Sequence, residues 1–436
     1  MRSGIGLRGL FPREIYALFV VRLVVSAGSF VNPFLAMMLT MKLGYSQAAA
    51  GAFMSAVSVV SAAGLLAGGK LGDSLGRRPV LGGLQALTAA SFAVCAVLGF
   101  VPAAPFVIAF ALGALSGTWP VMNAVVADCA PPERRKEAFA LLYWGNNIGF
   151  SIGPLAAGFL FSKAPRLLFV GNAAALGIAA AVVFLFVRET NPLLSVTPGA
   201  PGTRKAAVEE AGPGAGRESA ADRAGASAGG TLRILAADPV LLVFASLAAL
   251  TAFVYNQHTF ALPLFLKDMF GPEAGPRAFG AAMAVNGLTV VVCTALVTAA
   301  SHRWPALLAA AAGSIFYLLG FGAYALAAGL VPVLACTFAW TIGEILGATN
   351  NNVFIAERSP ASHRGRINSA ISFCYILGNA LAPLVSGPAM DALGSRAIWG
   401  PIGLLAGIGA LGLAGLHVWD RSRGPVRGSP DSPKLV

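Results

Sequence analysis

An all-α integral membrane protein is the fold class this sequence predicts, and three observations carry that expectation. The chain is 57% hydrophobic and only 11% charged, too apolar for a water-soluble protein of its length. Long apolar runs follow one another, and two of them, Gln47 to Gly68 and Val80 to Phe100, hold no charged residue. Each is long enough to cross a hydrocarbon core of about 30 Å as a helix. The cations are also segregated: 23 of the 30 Lys and Arg fall in segments that share one side, 6 in the opposite loops, and Arg22 within a span.

In chain order the runs give twelve spans, near 15–41, 47–69, 79–101, 104–129, 138–162, 167–188, 239–266, 278–300, 305–329, 331–356, 367–391 and 397–419. Residues 1–14 are basic, but the run that follows is too long for a cleavable leader and is interrupted by Arg22. The second and third spans flank the turn Gly69–Pro79, where Gly76 suits a left-handed helix end and Pro79 a first helical turn. The first six spans define a body over 1–188 and the last six a body over 238–420. Between them 189–237, rich in Gly, Ala, Pro and charge and without apolar periodicity, reads as a flexible linker, and 421–436 as a tail. The positive-inside rule places both termini and the linker in the cytoplasm. The net charge of +12 is therefore an orientation signal, and no nucleic-acid partner is expected. The five cysteines (95, 129, 293, 336 and 374) are scattered through apolar runs, which argues for packing residues and against disulfides or a metal site.

The two halves repeat. At an offset of 229, Asn123, Ala127, Pro131, Arg135, Gly149, Pro154 and Gly158 recur as Asn352, Ala356, Pro360, Arg364, Gly378, Pro383 and Gly387, and Asp128 recurs as the acid Glu357. Two like halves are the parallel repeat of one transporter class. Together with the turn pattern G-x-L-x-D-x-x-G-R-R, read at Gly69, Leu71, Asp73, Gly76, Arg77 and Arg78, this resembles the major facilitator superfamily, and within it the twelve-span drug and metabolite:proton antiporters. Ser74 stands where the family usually has a base.

That resemblance implies a charge latch on the cytoplasmic side, made of Asp73, Arg77, Arg78, Asp128 and Arg135, with Glu357 and Arg364 as its second-half counterpart. It also implies an antiporter motif at Gly149, Gly153, Pro154 and Gly158, with Ala157 replacing a usual glycine. Small residues four apart allow close helix approach in lipid, and the proline bends the span. Many of the family's drug–proton exporters carry a buried Arg in the fourth span; here Gly113 holds that place.

The residues themselves single out two intramembrane charges. Arg22 lies two turns into the first span and Glu344 near the middle of the tenth. A cation at such depth costs about 2.5–3.5 kcal/mol on insertion scales, and an acid there is a candidate proton carrier. Both are therefore proton-coupling candidates, with Arg22 also suited to an anionic substrate group or to snorkelling toward the surface. Polar and aromatic residues on the spans that the resemblance implies line a central cavity form the candidate cavity: Asn32, Trp119, Asn123, Asn147, Tyr255, Asn256, His258, Asn286, Trp340, Asn351, Tyr375 and Asn379. Facing lipid they would be unsatisfied, so they are expected to point inward. Tyr143 and Trp144 also suit interfacial anchors.

The expected function is secondary active transport by alternating access: proton-coupled efflux of small amphipathic drugs or metabolites, of the kind that confers multidrug resistance. The chain is expected to be a monomer without cofactor or metal, in a bacterial cytoplasmic membrane. A dedicated siderophore exporter and a non-transporting membrane sensor are the alternatives. No H-E-x-x-H, G-x-S-x-G or Walker pattern suggests an enzyme.

Overall fold

Sequences this apolar satisfy their backbone groups in lipid by folding as helices, and the apolar runs do so in the computed structural model. It describes residues 10–191, 238–359 and 364–422, with the side chains of 364–366 excluded, and no strand occurs among them. The helices are α1 (Arg13–Ala27), α2 (Val31–Met37, continued by a π turn to Lys42), α3 (Gln47–Leu75), α4 (Arg77–Leu98), α5 (Ala104–Ser116), α6 (Thr118–Cys129) and α7 (Arg135–Lys163). There follow α8 (Arg166–Phe186), α9 (Pro239–Tyr255), α10 (Ala261–Ser301), α11 (Ala306–Ala323), α12 (Leu330–Arg358), α13 (Arg364–Leu393) and α14 (Trp399–Ser422). The expected linker beyond Asn191 and the tail beyond Ser422 lie outside the described residues.

Several expected spans are broken helices. The first is interrupted between Ala27 and Val31, the fourth at Gly117, and the seventh by a 3₁₀ turn over Asn256–His258. Within α10, Gly271 at φ 82° separates two helical stretches in a conformation that favours glycine. Ten helical runs among the described residues are long and apolar enough to cross a membrane. Pro239–Ser301 counts as one of them despite the break at Gly271, and the 29-residue α7, diluted by Tyr143, Trp144, Asn146 and Asn147, is not counted.

Contacts divide the chain into two units. One comprises Met1–Asn32, Val59–Gly153 and Ala164–Ala226. In it α4 packs against α5 and α8, and α1 against α8, around Leu18, Val21, Leu81, Val125 and Val183. A Cβ at Gly64 or Gly68 would collide with the backbone of Gly113 or Gly117, so α3 crosses the α5–α6 junction backbone on backbone. This explains the missing fourth-span Arg in physical terms: a side chain at Gly113 would run into Val60.

The other unit comprises Pro33–Ser58, Pro154–Lys163 and Ser227–Val436. Here α11 packs against α12 and α14, and α9 against α13, with the Phe244 and Phe354 rings 4.7 Å apart in the core. The segments 33–58 and 154–163 join this unit through tight contacts. Gly51 abuts the backbone of Pro383, Gly158 that of Pro276, and Gly280 that of Pro154, while Phe34 packs between Phe161 and Phe279 at 5.5 and 5.1 Å.

Candidate functional site

The tenth-span acid is built into a hydrogen-bonded cage. Glu344 sits within α12, where Thr341 one turn earlier donates back to the Thr337 carbonyl at 2.7 Å. One carboxylate oxygen accepts from the Tyr255 hydroxyl at 2.8 Å, and the other from the Asn286 amide at 2.8 Å. Asn286 also donates to Thr341 Oγ1 at 3.0 Å, which fixes its amide plane. No cation forms an ion pair with Glu344 among the described residues. Uncharged donors therefore carry the whole burden of satisfying it.

Tyr255 is placed by the break in its own helix: α9 ends there, and the 3₁₀ turn that follows swings His258 beneath its ring, 4.4 Å away. His258 stacks on Trp340 at 5.4 Å, and Trp340 on Phe321 at 5.3 Å. Trp340 is fully buried and its indole N–H donates to the Tyr324 hydroxyl at 2.9 Å. Asn256 donates to the Asn379 carbonyl and Asn351 to the Tyr375 hydroxyl, each at 2.7 Å. Tyr255, Asn286, His258 and Trp340 thus gather around Glu344, while Asn256–Asn379 and Asn351–Tyr375 form separate pairs. His258 is used structurally, its Nδ1 lying 2.6 Å from the Tyr255 carbonyl, and no cluster of three metal-ligating side chains occurs among the described residues.

The first-span cation is satisfied differently. The Arg22 guanidinium lies 3.2 Å from the centroid of the Trp119 ring and is buried at 6% exposure. Trp119 comes from α6, which the kink at Gly117 aims toward α1. Beside it Ser26 donates to Asn146 at 2.9 Å, and Asn147 donates to the Tyr143 carbonyl at 2.9 Å. Asn32 and Asn123 are exposed. In the glycine motif, Gly145, Gly149 and Gly153 lie against the backbone of α1 (at Phe19, Leu23 and Ala27), while Pro154 and Gly158 meet α10.

At the Gly76 turn, Arg77 forms an ion pair with Asp128 and donates to the Ala124 carbonyl at 3.1 Å. Arg78 donates to the Phe184 carbonyl. The Asp73 carboxylate has no hydrogen bond or ion pair among the described residues; its backbone carbonyl accepts from Asn191 at 2.9 Å. Arg135 and Glu357 are exposed, and the Arg364 side chain lies outside the described residues.

Sequence reading missed two members of these clusters. Glu189, assigned to the linker, accepts from the backbone N–H groups of Arg77 at 2.9 Å and Arg78 at 3.1 Å, at the first turn of α4. It also accepts from the N–H groups of Thr190 and Asn191. Burial alone would raise its carboxyl, but the four donors outweigh it and hold it below the ordinary range. In the second half Arg358 is a paired base among the described residues: it joins Asp238, at 3.0 Å, to Asp420. Asp238 also caps α9 through the Val240 N–H at 3.0 Å. The Asp238–Pro239 pair was a visible cap signal; nothing in the sequence linked it to Arg358.

Ten helical runs long and apolar enough to cross a membrane, among them those that carry Arg22 and Glu344, make this a multi-pass membrane protein. The Major Facilitator Superfamily model matches residues 17–383, and the chain belongs to that superfamily. It is 26% identical over 380 residues to a protein of Planococcus maritimus named Na(+), Li(+), K(+)/H(+) antiporter, covering 81% of this chain and 84% of that one. It is 23% identical over 393 residues to the uncharacterised MFS-type transporter YqjV of Bacillus subtilis, covering 89% and 88%. Among solved structures, the peptide transporter POT in complex with sulfate matches with TM-score 0.71 at 19% identity, covering 95% of this chain and 96% of that one. The nucleoside transporter NupG matches with TM-score 0.71 at 13% identity, covering 92% and 99%. These structural likenesses establish the fold.

Proposed function

We propose that this transporter is a proton-coupled antiporter that exports small amphipathic cations by alternating access, with Glu344 as the shared site for proton and substrate charge. The observation behind this reading is the cage of Glu344: an acid in mid-membrane, held only by neutral donors and bordered by Tyr255, His258 and Trp340. Protonation removes its charge, and a cation resting on aromatic faces replaces it, so the two ligands compete. Arg22, stacked on Trp119, keeps a fixed positive charge in the first unit and belongs with the coupling machinery. A second reading, exchange of alkali cations for protons, draws on the name of the Planococcus relative.

The same reading takes Pro239–Ser301 as two spans and adds α7, which gives twelve. It takes both termini to lie on the cytoplasmic side of a bacterial cytoplasmic membrane, treats the 1–188 and 238–420 halves as the moving bodies, and assigns Arg77–Asp128 to the latch. It takes the working form as a monomer.

The test is transport in proteoliposomes under an imposed pH gradient, with ethidium and sodium as separate probes. Ethidium movement driven by the gradient in wild type and lost in Glu344→Gln is the expected result. Sodium movement alone selects the second reading, and movement of neither probe in exchange for protons sinks the antiport proposal.

A further inference from the structure

We propose that Arg22 carries a binding site for the carboxylate of a small aromatic acid, contained in the first unit and separate from the cation site given to Glu344. A buried guanidinium needs its charge countered and its N–H groups paired. Arg22 gets neither from this chain. It forms no ion pair, and its N–H donors have no hydrogen-bond acceptor among the described residues. At 6% exposure its head does not sit in water, so snorkelling does not satisfy it. The acids of the unit are placed elsewhere: Glu14, Asp73, Asp128, Glu133, Glu137 and Glu189 all lie at helix ends or in the turns beside them. Glu14, on the same helix, is about 12 Å of helical rise away and already serves Arg13 at 3.3 Å and Arg188 at 3.9 Å.

What Arg22 does have is the Trp119 ring, its centroid 3.2 Å from the guanidinium carbon. Only flat stacking permits so close an approach, since an edge-on N–H would strike the ring. Flat stacking satisfies the face of the cation and leaves its donors pointing outward in one plane. That is the fork a carboxylate fits with two parallel hydrogen bonds. One turn further along the same face of α1, Ser26 donates to Asn146 Oδ1 at 2.9 Å. The Asn146 amide N–H groups are left without an acceptor among the described residues, so a second set of unspent donors borders the first.

The charge sets the class of ligand. One guanidinium supplies one positive charge, so a monoanion neutralises it, whereas a dianionic phosphate would leave net negative charge in the membrane. The geometry sets the rest. Trp119 remains 43% exposed with Arg22 stacked on it, which leaves aromatic surface beside the fork for the ring of an acid.

The test is equilibrium binding of tritiated benzoate to the full chain in detergent at pH 7, with benzamide and nitrate as competitors. Expected are saturable benzoate binding, no displacement by neutral benzamide, and displacement by nitrate, a planar monoanion without a ring, only at far higher concentration. Arg22→Lys keeps the charge but not the fork and should weaken benzoate binding roughly tenfold or more. Arg22→Gln should abolish saturable binding. Benzoate that binds both variants as it binds wild type, or that benzamide displaces equally well, overturns the site, as does a wild type without saturable binding. Nitrate that competes as well as benzoate itself shows an inorganic anion site and overturns the organic ligand. No pH gradient enters the measurement, so its failure leaves the proton reading standing, and failure of gradient-driven ethidium transport leaves this site standing.

Discussion

Two carboxylates in this protein are satisfied by opposite means. Glu344 is held by a tyrosine hydroxyl, which can rotate, and by an asparagine amide. Glu189 is held by four peptide N–H groups fixed in place, two of them by the α4 helix. Side-chain donors can rearrange when a proton arrives, because a hydroxyl turns from donor to acceptor. Peptide donors cannot, and they favour the charged form at every step. The first arrangement suits an acid that titrates in a cycle; the second suits a permanent clamp.

The largest effect is expected where the rotating cage loses its acid. Glu344→Gln keeps the shape and hydrogen-bonding capacity and removes the titration. Gradient-driven ethidium transport should fall at least 100-fold, and ethidium binding to the protein in detergent should weaken with it. Retained pH-driven transport would falsify the role given to Glu344. Tyr255→Phe is the finer cut: it deletes one donor and leaves the ring stacked on His258. Loss of one hydrogen bond to a charged group is worth about 1.5–3 kcal/mol, so coupled transport should drop roughly ten- to 100-fold. If Tyr255→Phe transports like wild type, the cage is scenery around Glu344 and the contrast with Glu189 loses its meaning.

Arg22 supplies a third solution, an aromatic face in place of donors. With Arg22 buried and Trp119 half exposed, the cation–π contact is worth about 1–2 kcal/mol. Trp119→Leu keeps apolar volume and removes the quadrupole, and it should lower the melting temperature in detergent by several degrees. Arg22→Met in the same background should recover part of that loss, since it removes the stranded charge. A double variant no more stable than Trp119→Leu alone would show that the stacking carries no weight.

How much of this the sequence disclosed follows from the range of each interaction. Helices were legible because apolar runs and charged turns are local, and Arg22 and Glu344 stood out because a charge within such a run is conspicuous. Tyr255, Asn286 and Trp340 were nameable as inward-facing, but their convergence on Glu344 depends on packing between α9, α10 and α12. The helix breaks at residues 28–30 and 256–258 were hidden, since Gly28-Ser29 and the polar Asn256-Gln257-His258 fit equally well inside a continuous span with an inward-facing polar stretch. Glu189 and Arg358 were overlooked for a different reason. Each looks like an ordinary charged residue at the end of a span, and only folding brings Arg77 to Glu189 and Asp238 to Arg358 across more than 100 positions.

The smallest effect, and the sharpest test of the contrast, belongs to Glu189→Gln. Its folded carboxyl lies below the ordinary glutamate value of about 4.3. A depressed acid contributes stability that is fully present above the unfolded pKa and is lost as pH falls through the folded one. The wild type should therefore lose a small increment of thermal stability on acidification through and below about pH 4. A carboxylate at a helix start is worth about 0.3–1 kcal/mol, and partial exposure of Glu189 puts it at the low end. Glu189→Gln should melt slightly earlier at pH 7 and converge with wild type in acid, with its transport rate at neutral pH close to normal. Melting curves at pH 7 and pH 4 in one detergent decide the matter. A variant that stays parallel to wild type across that interval would mean the four N–H groups hold a neutral amide as well as a charge, and the clamp would then owe nothing to ionisation.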